Sequence, residues 1–396
     1  MSLVNRMHKR SAKVIKGLMA LAVMASISSV AFADGSDGPD ADHNQTAFQK
    51  VEGDLSVMVL GSGGPMANAE GRASAGYLIF TDGKPRILMD VGGGTYQRLA
   101  QSGTDVANLD IVLLSHLHAD HTGDLTPVIK TIYFHNNQDR LAAAAKGIVI
   151  PGRTAPINIY GPGSSTLPPA TPGVEYPNGE LVFPSTTDYV DEHYSVQKGG
   201  TERYLKAFVA GISDDNGPPT LPGESASTFA YTAHDLQSTV PGATVQTVLS
   251  APDGLVIKSI AVDHGPVPAL AFRIEYKGHV VVYSGDTGTK GIGPNHLGRG
   301  NMDTIAQGAD LLIYDTSVME DGDAPPNPLF HILHSAPSLI AGVAIDANVK
   351  TLVLSHLTPV TSPRIDEVKS IIRGAGFMGR ISEAMDLKVY NLGDDD

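Results

Sequence analysis

The chain has 396 residues, of which 42% are hydrophobic, with 28 basic residues, 42 acidic residues and no cysteine. This composition is typical of a globular protein rather than a disordered or fibrous one. The absence of cysteine excludes disulfide frameworks, thiol nucleophiles and thiolate zinc sites, so a metal would be held by His and carboxylate side chains. The net charge of −14, with no basic block beyond the first residues, disfavours nucleic acid as a partner.

The segment 1–33 has the pattern of a signal peptide. Five basic residues precede an apolar run at 17–30, and an Ala-Phe-Ala sequence at 31–33 has small residues where a signal peptidase cleaves. An uncleaved membrane anchor is the alternative, but the run is shorter than the roughly 20 residues of a spanning helix. We therefore predict export to the periplasm or the medium, no membrane span in the mature chain, and a flexible leader over 34–50.

Short apolar segments then alternate with glycine-rich turns. The third of these segments ends at Asp90, before three glycines, and the fourth is fully apolar and leads directly to His116. A short, fully apolar segment is typical of a strand buried on both faces. The patterns predict strands at 55–60, 76–80, 86–90 and 111–115, and a helix at 96–101.

Four potential metal ligands follow the fourth strand within six positions: His116, His118, Asp120 and His121. Residues two apart in an extended segment face the same way, so His116 and His118 can converge on one ion. Asp120 and His121, on the turn that follows, would then point at a second ion. A lone buried His is commonly structural, but three histidines and an aspartate packed this closely indicate two adjacent metals.

This His-x-His-x-Asp-His pattern resembles the signature of the metallo-β-lactamase superfamily, and four further segments agree in order with its ribonuclease Z and arylsulfatase-like branch. They are Asp90 at a strand end, His264 before a proline and a strand ending in Arg-Ile, Asp286 after 280–285, and His356 after 351–355. The resemblance implies a four-layer αββα sandwich. It also implies one hydrolase domain over 51–396, with substrate-side insertions at about 135–255.

The resemblance further implies a complete ligand set for two divalent metal ions. Asp90 would not bind metal but would accept hydrogen bonds that orient a ligand. Zinc is the expected metal, with manganese(II) or iron(II) as alternatives at the second site, where oxygen ligands are more numerous. The first ion would be held by His116, His118 and His264, the second by Asp120, His121 and His356, and Asp286 would bridge them.

A further histidine, His334, is followed by Ser335 and heads a predicted helix that precedes the strand leading to His356. Phosphodiesterases that resemble ribonuclease Z carry a His-Ser pair here, which implies that His334 meets the scissile phosphate and donates a proton or stabilises charge. Ser335 is predicted to cap the helix. His331, one turn earlier, is the competing candidate, and a structural role near the cap is the alternative for His334.

The predicted function is hydrolysis of a phosphodiester or aryl sulfate ester by a hydroxide held between the two ions, with Asp120 also hydrogen-bonded to that hydroxide. A lactone or β-lactam hydrolase and a non-catalytic metal-binding protein are the alternatives. A small-molecule ester is the expected partner, because the insertions lack the basic arm with which pre-tRNA processing enzymes grip RNA. Their charged residues are mainly acidic: Asp188, Asp191, Glu192, Asp214, Asp215 and Glu224.

Overall fold

A computed structural model describes residues 49–150, 152–153, 155–167, 181–195, 198, 200, 230–240, 242–288, 300–320 and 328–393. The predicted signal peptide, most of the predicted leader and part of the predicted insertions lie outside these ranges. None of the helices within them combines the length and apolarity needed to cross a membrane.

The first sheet contains seven strands and is antiparallel on one side and parallel on the other. Its order, from the antiparallel edge, is β16 (Val389–Leu392), β1 (Leu55–Gly61), β2 (Gly76–Thr81), β3 (Lys84–Val91), β4 (Ile111–Leu113), β5 (Ile157–Pro162) and β8 (Tyr231–Leu236). The predicted strands at 55–60, 76–80, 86–90 and 111–115 all lie in this sheet. A separate two-stranded sheet joins β6 (Ser165–Leu167) to β7 (Leu181–Phe183).

The second sheet also has seven strands and repeats this division into a parallel and an antiparallel half. Its order is β15 (Arg380–Glu383), β14 (Thr351–Ser355), β13 (Leu311–Asp315), β12 (His279–Tyr283), β11 (Ala269–Tyr276), β10 (Val256–Val262) and β9 (Gln246–Ser250). The parallel half, β12 to β15, is built from short apolar runs such as Leu311–Asp315, which is buried throughout.

Helices in the described part of the chain connect the strands and cover the sheets. They are α1 (Thr95–Ser102), α2 (Ala119–Thr122), α3 (Leu125–Ala144), α4 (Thr186–Tyr194), α5 (Gly300–Ile305), α6 (Pro328–Leu333), α7 (Pro337–Asp346) and α8 (Ile365–Gly374), with a 3₁₀ turn at Ser362–Arg364. The helix predicted at 96–101 is α1.

Three apolar clusters lie between the layers. On β1, Leu55, Val57 and Val59 pack between the two sheets, whereas Met58 and Leu60 point to the helical side, as the two-residue period of a strand requires. One outer cluster joins the first sheet to α1 and α3, and the other joins the second sheet to α5, α7 and α8. This arrangement of helices, sheet, sheet and helices confirms the predicted four-layer αββα sandwich.

The carboxyl ends of several strands from both sheets meet at one edge of the sandwich. Strand β10 is antiparallel to β11, which is antiparallel to β12, so β10 points the same way as β12, β13 and β14. His264 follows β10 and His356 follows β14, while His116 follows β4 of the first sheet. Polar side chains that stand on rigid strand ends are held with little freedom, which suits a binding site.

Candidate metal centre

Three imidazoles predicted to hold the first ion converge at this edge. Nε2 of His116 lies 2.9 Å from Nδ1 of His118, and Nε2 of His264 lies 3.4 Å from the same Nδ1. His116 and His264 are buried, whereas His118 is the most accessible of the three. Three ring nitrogens that face one another in this way can bind one divalent ion through their lone pairs.

The second group joins the loop after β4 to the end of β14. Nε2 of His121 lies 3.0 Å from Nε2 of His356, and Oδ2 of Asp120 lies 3.1 Å from Nε2 of His356 and 3.5 Å from Nε2 of His121. Asp120 and His121 stand on the one-turn helix α2. The donor set of two imidazoles and a carboxylate fits a divalent ion.

Asp286 stands between the two groups and presents one oxygen to each. Its Oδ1 lies 3.3 Å from Nε2 of both His121 and His356, and its Oδ2 lies 3.7 Å from Nε2 of His116 and 3.8 Å from Nε2 of His264. Oδ1 is buried and has no hydrogen-bond partner among the described residues. A buried carboxylate oxygen without a partner is costly, and an ion between Asp286 and the imidazoles would satisfy it.

The far nitrogen of several ligand imidazoles is fixed by a hydrogen bond. Nδ1 of His264 pairs with the carbonyl of Leu333 at 2.9 Å, Nδ1 of His121 with Oδ2 of Asp90 at 2.7 Å, and Nδ1 of His356 with Oγ of Ser317 at 2.6 Å. Each bond fixes the ring so that Nε2 faces the site.

Asp90 lies beside the second ligand group, and its carboxylate accepts four hydrogen bonds. Its carboxylate accepts hydrogen bonds from the backbone N–H and the hydroxyl of Ser115, from the hydroxyl of Tyr283 and from Nδ1 of His121, each at 2.7 Å. The residue is fully buried and has a positive φ of 52°, and His356 has a φ of 58°. Left-handed backbone at non-glycine residues costs free energy and is typical of functional sites.

Glycine allows the backbone to approach the ligands closely at two positions. A Cβ atom on Gly64 would lie 3.0 Å from Nδ1 of His356, and one on Gly92 would lie 1.9 Å from the carbonyl oxygen of Asp120. The turns that follow β1 and β3 therefore pack directly against ligand residues.

His334 lies beside both ligand groups, between α6 and α7. Its ring centroid is 5.4 Å from that of His264 and 5.7 Å from that of His356, and its Nδ1 lies 2.6 Å from Oδ2 of Asp315. His331 is buried on α6, one turn earlier. The geometry thus brings His334 to the edge of the ligand cluster.

The prediction that Ser335 caps the following helix is wrong. The N-cap position of α7 is Ala336, which makes no side-chain capping bond, and Pro337 occupies the first turn. The hydroxyl of Ser335 instead donates to the carbonyl of Thr287 at 2.7 Å. The N–H of Ser338 in the first turn is bound instead by the carboxylate of Glu320 at 2.7 Å, so the Ser335 hydroxyl is available to bind the loop that carries Asp286.

Asp315 is a site residue that the sequence reasoning missed. It is buried at the end of β13, and its Oδ1 accepts a hydrogen bond from the Ser317 hydroxyl at 2.6 Å and lies 3.3 Å from Nδ1 of His356. Together with the bond to His334, these contacts make Asp315 the carboxylate that fixes two imidazoles at once. The signal was present, because Asp315 ends a buried apolar strand just as Asp90 does.

The two ligand groups differ in electrostatics when no metal is bound. Burial lowers the pKa of His264 to about 4 and holds the pKa of His116 well below its usual value. Burial also acts against a charge on His356, but the carboxylates around it, Asp286 first, raise the pKa of His356 to about 10. The pKa of His121 is raised well above its usual value for the same reason. Carboxylates thus dominate the second group.

The arrangement therefore contains candidate sites for two adjacent divalent metals that share one carboxylate. Two carboxylates and five imidazoles make up the two ligand groups, and the protein holds the far ring nitrogen of His121, His264 and His356. A centre of this kind can polarise an ester and supply a nucleophile derived from water.

Comparisons with known proteins give similar sequences over most of the chain. The sequence profile of a family described as anti-Pycsar protein Apyc1 matches residues 55–147, from β1 to just beyond the end of α3. Ribonuclease Z of Mycobacterium bovis is 28% identical over 342 residues, which are 84% of this chain and 96% of the relative. Ribonuclease Z of Mycolicibacterium paratuberculosis is 27% identical over 338 residues, with the same coverage of both chains.

Two solved structures share the fold. The short form of human tRNase Z superposes with a TM-score of 0.52 at 19% identity and covers 85% of this chain and 98% of its own. The metallo-β-lactamase fold protein YhfI from Bacillus subtilis superposes with a TM-score of 0.50 at 18% identity and covers 85% of this chain and 99% of its own. The relatives that match over nearly their whole length, the shared fold and the paired His/Asp clusters agree in one likeness: the chain is similar to metallo-hydrolases of the metallo-β-lactamase superfamily, in its ribonuclease Z branch.

Proposed function

We propose that the protein is an exported hydrolase of phosphodiester or aryl sulfate esters that works with two divalent metal ions. The observation that carries this proposal is the position of His334, which is hydrogen-bonded to Asp315 and lies beside two ligand groups that share Asp286. Transfer of a phosphoryl or sulfuryl group needs both a charge-neutralising centre and a group that assists the departing oxygen. The geometry supports both requirements.

Two bound ions would lower the pKa of a water molecule and neutralise charge on the ester oxygens. The protein's own residues then have distinct tasks. Asp120 is the more exposed of the two ligand carboxylates, with 12% of its side chain accessible against 3% for Asp286, so it can accept a hydrogen bond from the attacking water. Asp90 keeps His121 oriented from below.

His334 has the geometry of a proton donor to the leaving oxygen. Its Nδ1–H donates to Asp315 at 2.6 Å, so in the protonated ring Nε2–H is the donor left for a substrate. This role suits a phosphate or sulfate ester, whose departing oxygen needs a proton.

We propose zinc as the metal of the first site, because three imidazoles and one carboxylate suit it. The second site has two carboxylates and two imidazoles, a more oxygen-rich set that manganese(II) or iron(II) also accepts. Elemental analysis of protein purified after metal-replete expression should find about two ions per chain. Less than half an ion per chain would contradict the assignment and, with it, the hydrolase mechanism.

Export is proposed from the segment 1–33. The basic residues, the apolar run and the Ala-Phe-Ala sequence together favour cleavage before Asp34. Intact-mass measurement of protein collected from the periplasm or medium should give a chain that begins at Asp34. A full-length chain retained in the cell would reject export while leaving the chemistry of the site unaffected.

RNA is the second candidate substrate, because the curated relatives are named ribonuclease Z, and this counts against the prediction that nucleic acid is not a partner. In favour of a small ester, the described helix α4 carries Asp188, Asp191 and Glu192, and the whole chain has a net charge of −14. Acidic surface repels a polyanion. Cleavage of a structured RNA faster than a small phosphodiester would reverse this preference.

The experiment that tests the function is a substrate panel on metal-loaded protein. A bis-aryl phosphate, an aryl sulfate, an aryl lactone, a cephalosporin and a structured RNA would be compared by kcat/KM. We expect the phosphate or sulfate ester to be the best substrate and activity to be lost in the His116→Ala/His118→Ala variant. A preference for the lactone or cephalosporin would support the carboxyl-centred alternative, and inactivity toward the whole panel, with metal bound, would support a non-catalytic metal-binding protein.

A further inference from the structure

Three rings follow one another at the edge of the metal centre. The ring of His334 lies close to those of both His356 and Phe330: the His334 and His356 planes are inclined by 29° at a centroid distance of 5.7 Å, and the Phe330 and His334 planes by 34° at 5.0 Å. His356 belongs to the second ligand group. The series therefore leads from a metal ligand, through the proposed proton donor, to an aromatic side chain.

Phe330 is fixed in this position by the helix that carries it. It lies on α6, four residues before His334, and the backbone N–H of His334 donates to the carbonyl of Phe330 at 3.0 Å. Side chains four apart on a helix lie on the same face, one above the other. Phe330 and His334 are thus presented together, and a molecule that contacts one can contact the other.

Phe330 does not serve the apolar core of the described part of the chain. It is half-buried and belongs to none of the three apolar clusters, nor to the partly buried side chains packed against them. Large apolar side chains of the neighbouring helix α7, such as Ile340, are by contrast buried in one of those clusters. An aromatic side chain that stays outside the core and beside a reactive group offers its face to a ligand.

We infer that Phe330 is a specificity-determining residue that stacks on a planar aromatic leaving group of the ester. The inference rests on the proposed function, since it takes His334 as the donor to the leaving oxygen. The ring of Phe330 lies 5.0 Å from that of His334, which is within reach of a ring carried by the group that departs next to His334. The substrate class is therefore an ester whose departing alcohol is a phenol or bears another flat ring close to the oxygen.

A simpler role for Phe330 is to buttress the ring of His334. The two roles respond differently to substitution, because a buttress needs apolar volume whereas stacking needs a flat π-face. Leucine at this position keeps most of the volume and removes the face, and tyrosine keeps both. Phe330→Leu and Phe330→Tyr are therefore the informative variants.

The matched control is Phe134→Leu. Phe134 is also a half-buried phenylalanine on a helix, but it lies in the middle of α3, where its ring is paired with Nζ of Lys130 at 5.3 Å. Phe134→Leu therefore makes the same change of side chain at a position away from the rings of His334 and Phe330.

The test measures binding of two phosphate ligands to the metal-loaded proteins by calorimetry: phenyl phosphate, which keeps the aromatic group, and methyl phosphate, which lacks it. Phe330→Leu should weaken phenyl phosphate by about three- to tenfold and leave methyl phosphate unchanged, the gain expected of one aromatic contact. Phe330→Tyr and Phe134→Leu should bind both like the unchanged protein. In turnover, Phe330→Leu should raise KM for an aryl methyl phosphate with little change in kcat.

The outcomes separate the inference from the function on which it rests. Equal binding of phenyl phosphate by the unchanged protein and Phe330→Leu, or an equal loss for both phosphates, would overturn the stacking role while the hydrolase assignment stands. Failure of the unchanged, metal-loaded protein to bind either phosphate would reject the proposed function, and the inference would fall with it.

Discussion

The imidazoles of the two ligand groups differ in their charge when no metal is bound. His264 has a pKa lowered to about 4 by burial, so it is neutral above pH 5, whereas the carboxylates around His356 overcome burial and raise its pKa to about 10. A metal binds only the deprotonated ring. Binding of the second ion must therefore displace the proton of His356, whereas binding of the first ion displaces no proton from His264.

This difference predicts that the two sites lose metal at different pH values. With a folded pKa near 10, deprotonation of His356 becomes about 100-fold less favourable between pH 8 and pH 6, while His264 stays neutral over that range. We expect about two ions per chain after dialysis at pH 8 and closer to one at pH 6, measured by elemental analysis at a fixed free metal concentration. Parallel loss of both ions would contradict the assignment of the carboxylate-rich group to the second site.

The raised pKa of His356 also determines how the stability of the metal-free chain changes with pH. The folded pKa of His356 lies above the unfolded value of about 6.5. The stabilisation is therefore fully present below about pH 6.5 and is lost as the pH rises through about 10. Metal-free protein should unfold at a lower temperature at pH 9.5 than at pH 7.

His334 can be tested apart from the metals. His334→Ala should leave the metal content unchanged and lower turnover of a phosphodiester by roughly 10²–10⁴-fold, the usual contribution of a positioned acid. The loss should shrink for leaving groups of low pKa, because these need little protonation. Steady-state kinetics on two leaving groups of different pKa measure both effects.

His331→Ala is the matched control for this variant, since His331 is buried one helical turn away on α6. Its turnover per folded molecule should stay close to that of the unchanged protein. Full activity of His334→Ala on both substrates would remove His334 from the chemistry and weaken the phosphodiesterase assignment with it.

At the scale of an element, the glycine-rich turn after β3 controls the loop that carries the ligands. A Cβ on Gly92 would lie 1.9 Å from the carbonyl oxygen of Asp120, whereas a Cβ on Gly93 would meet nothing within 4 Å. Gly92→Ala should therefore displace α2 and lower metal content and activity by about tenfold or more, because a contact this short forces the backbone to move. Gly93→Ala should keep both, and equal behaviour of the two variants in metal analysis would refute the close packing.

The elements that carry the ligands were predictable because each ends an apolar run with a polar residue. Asp90, His116 and His356 all follow such runs, and the structure has strands where the sequence analysis predicted them. Asp315 follows the same rule but was not predicted, because the family pattern has its last carboxylate at Asp286. Ser335 does not cap α7 because the N–H of Ser338 in the first turn is bound by the carboxylate of Glu320, a contact that the helix-start pattern does not contain.

At the scale of the whole molecule, periodicity predicted the strands but not their division into two sheets. Strand β16, the last in the chain, pairs with β1, the first, and β12 pairs with β13 in parallel, and neither partner is encoded in the local pattern. The αββα architecture was predicted from the family resemblance, because the pattern of a single segment does not show which distant strand it pairs with. The hydrogen bonds of Asp90 to Tyr283 and of Tyr77 to Ser355, both between the sheets, could not have been predicted for the same reason.

The metal centre joins the two sheets, and this gives a prediction for the whole fold. His116, His118, Asp120 and His121 come from the first sheet, and His264, Asp286 and His356 from the second, so each ion would link both sheets. None of these ligands belongs to the three apolar clusters, which form large contacts of their own. Removing the metals should therefore loosen the edge of the sandwich without unfolding it.

We expect chelation to leave the far-ultraviolet circular dichroism at 25 °C nearly unchanged and to lower Tm by about 5–15 °C, because ions that bind only the folded chain stabilise it by mass action. The pairing of Asp120 and Asp286 with charged His121 and His356 limits repulsion between the carboxylates in the metal-free state. Adding zinc back should restore Tm in the unchanged protein but only in part in His116→Ala/His118→Ala, where the first site has lost two ligands. A metal-free chain that is unfolded at about 25 °C would show instead that the ions, rather than the apolar clusters, hold the two sheets together.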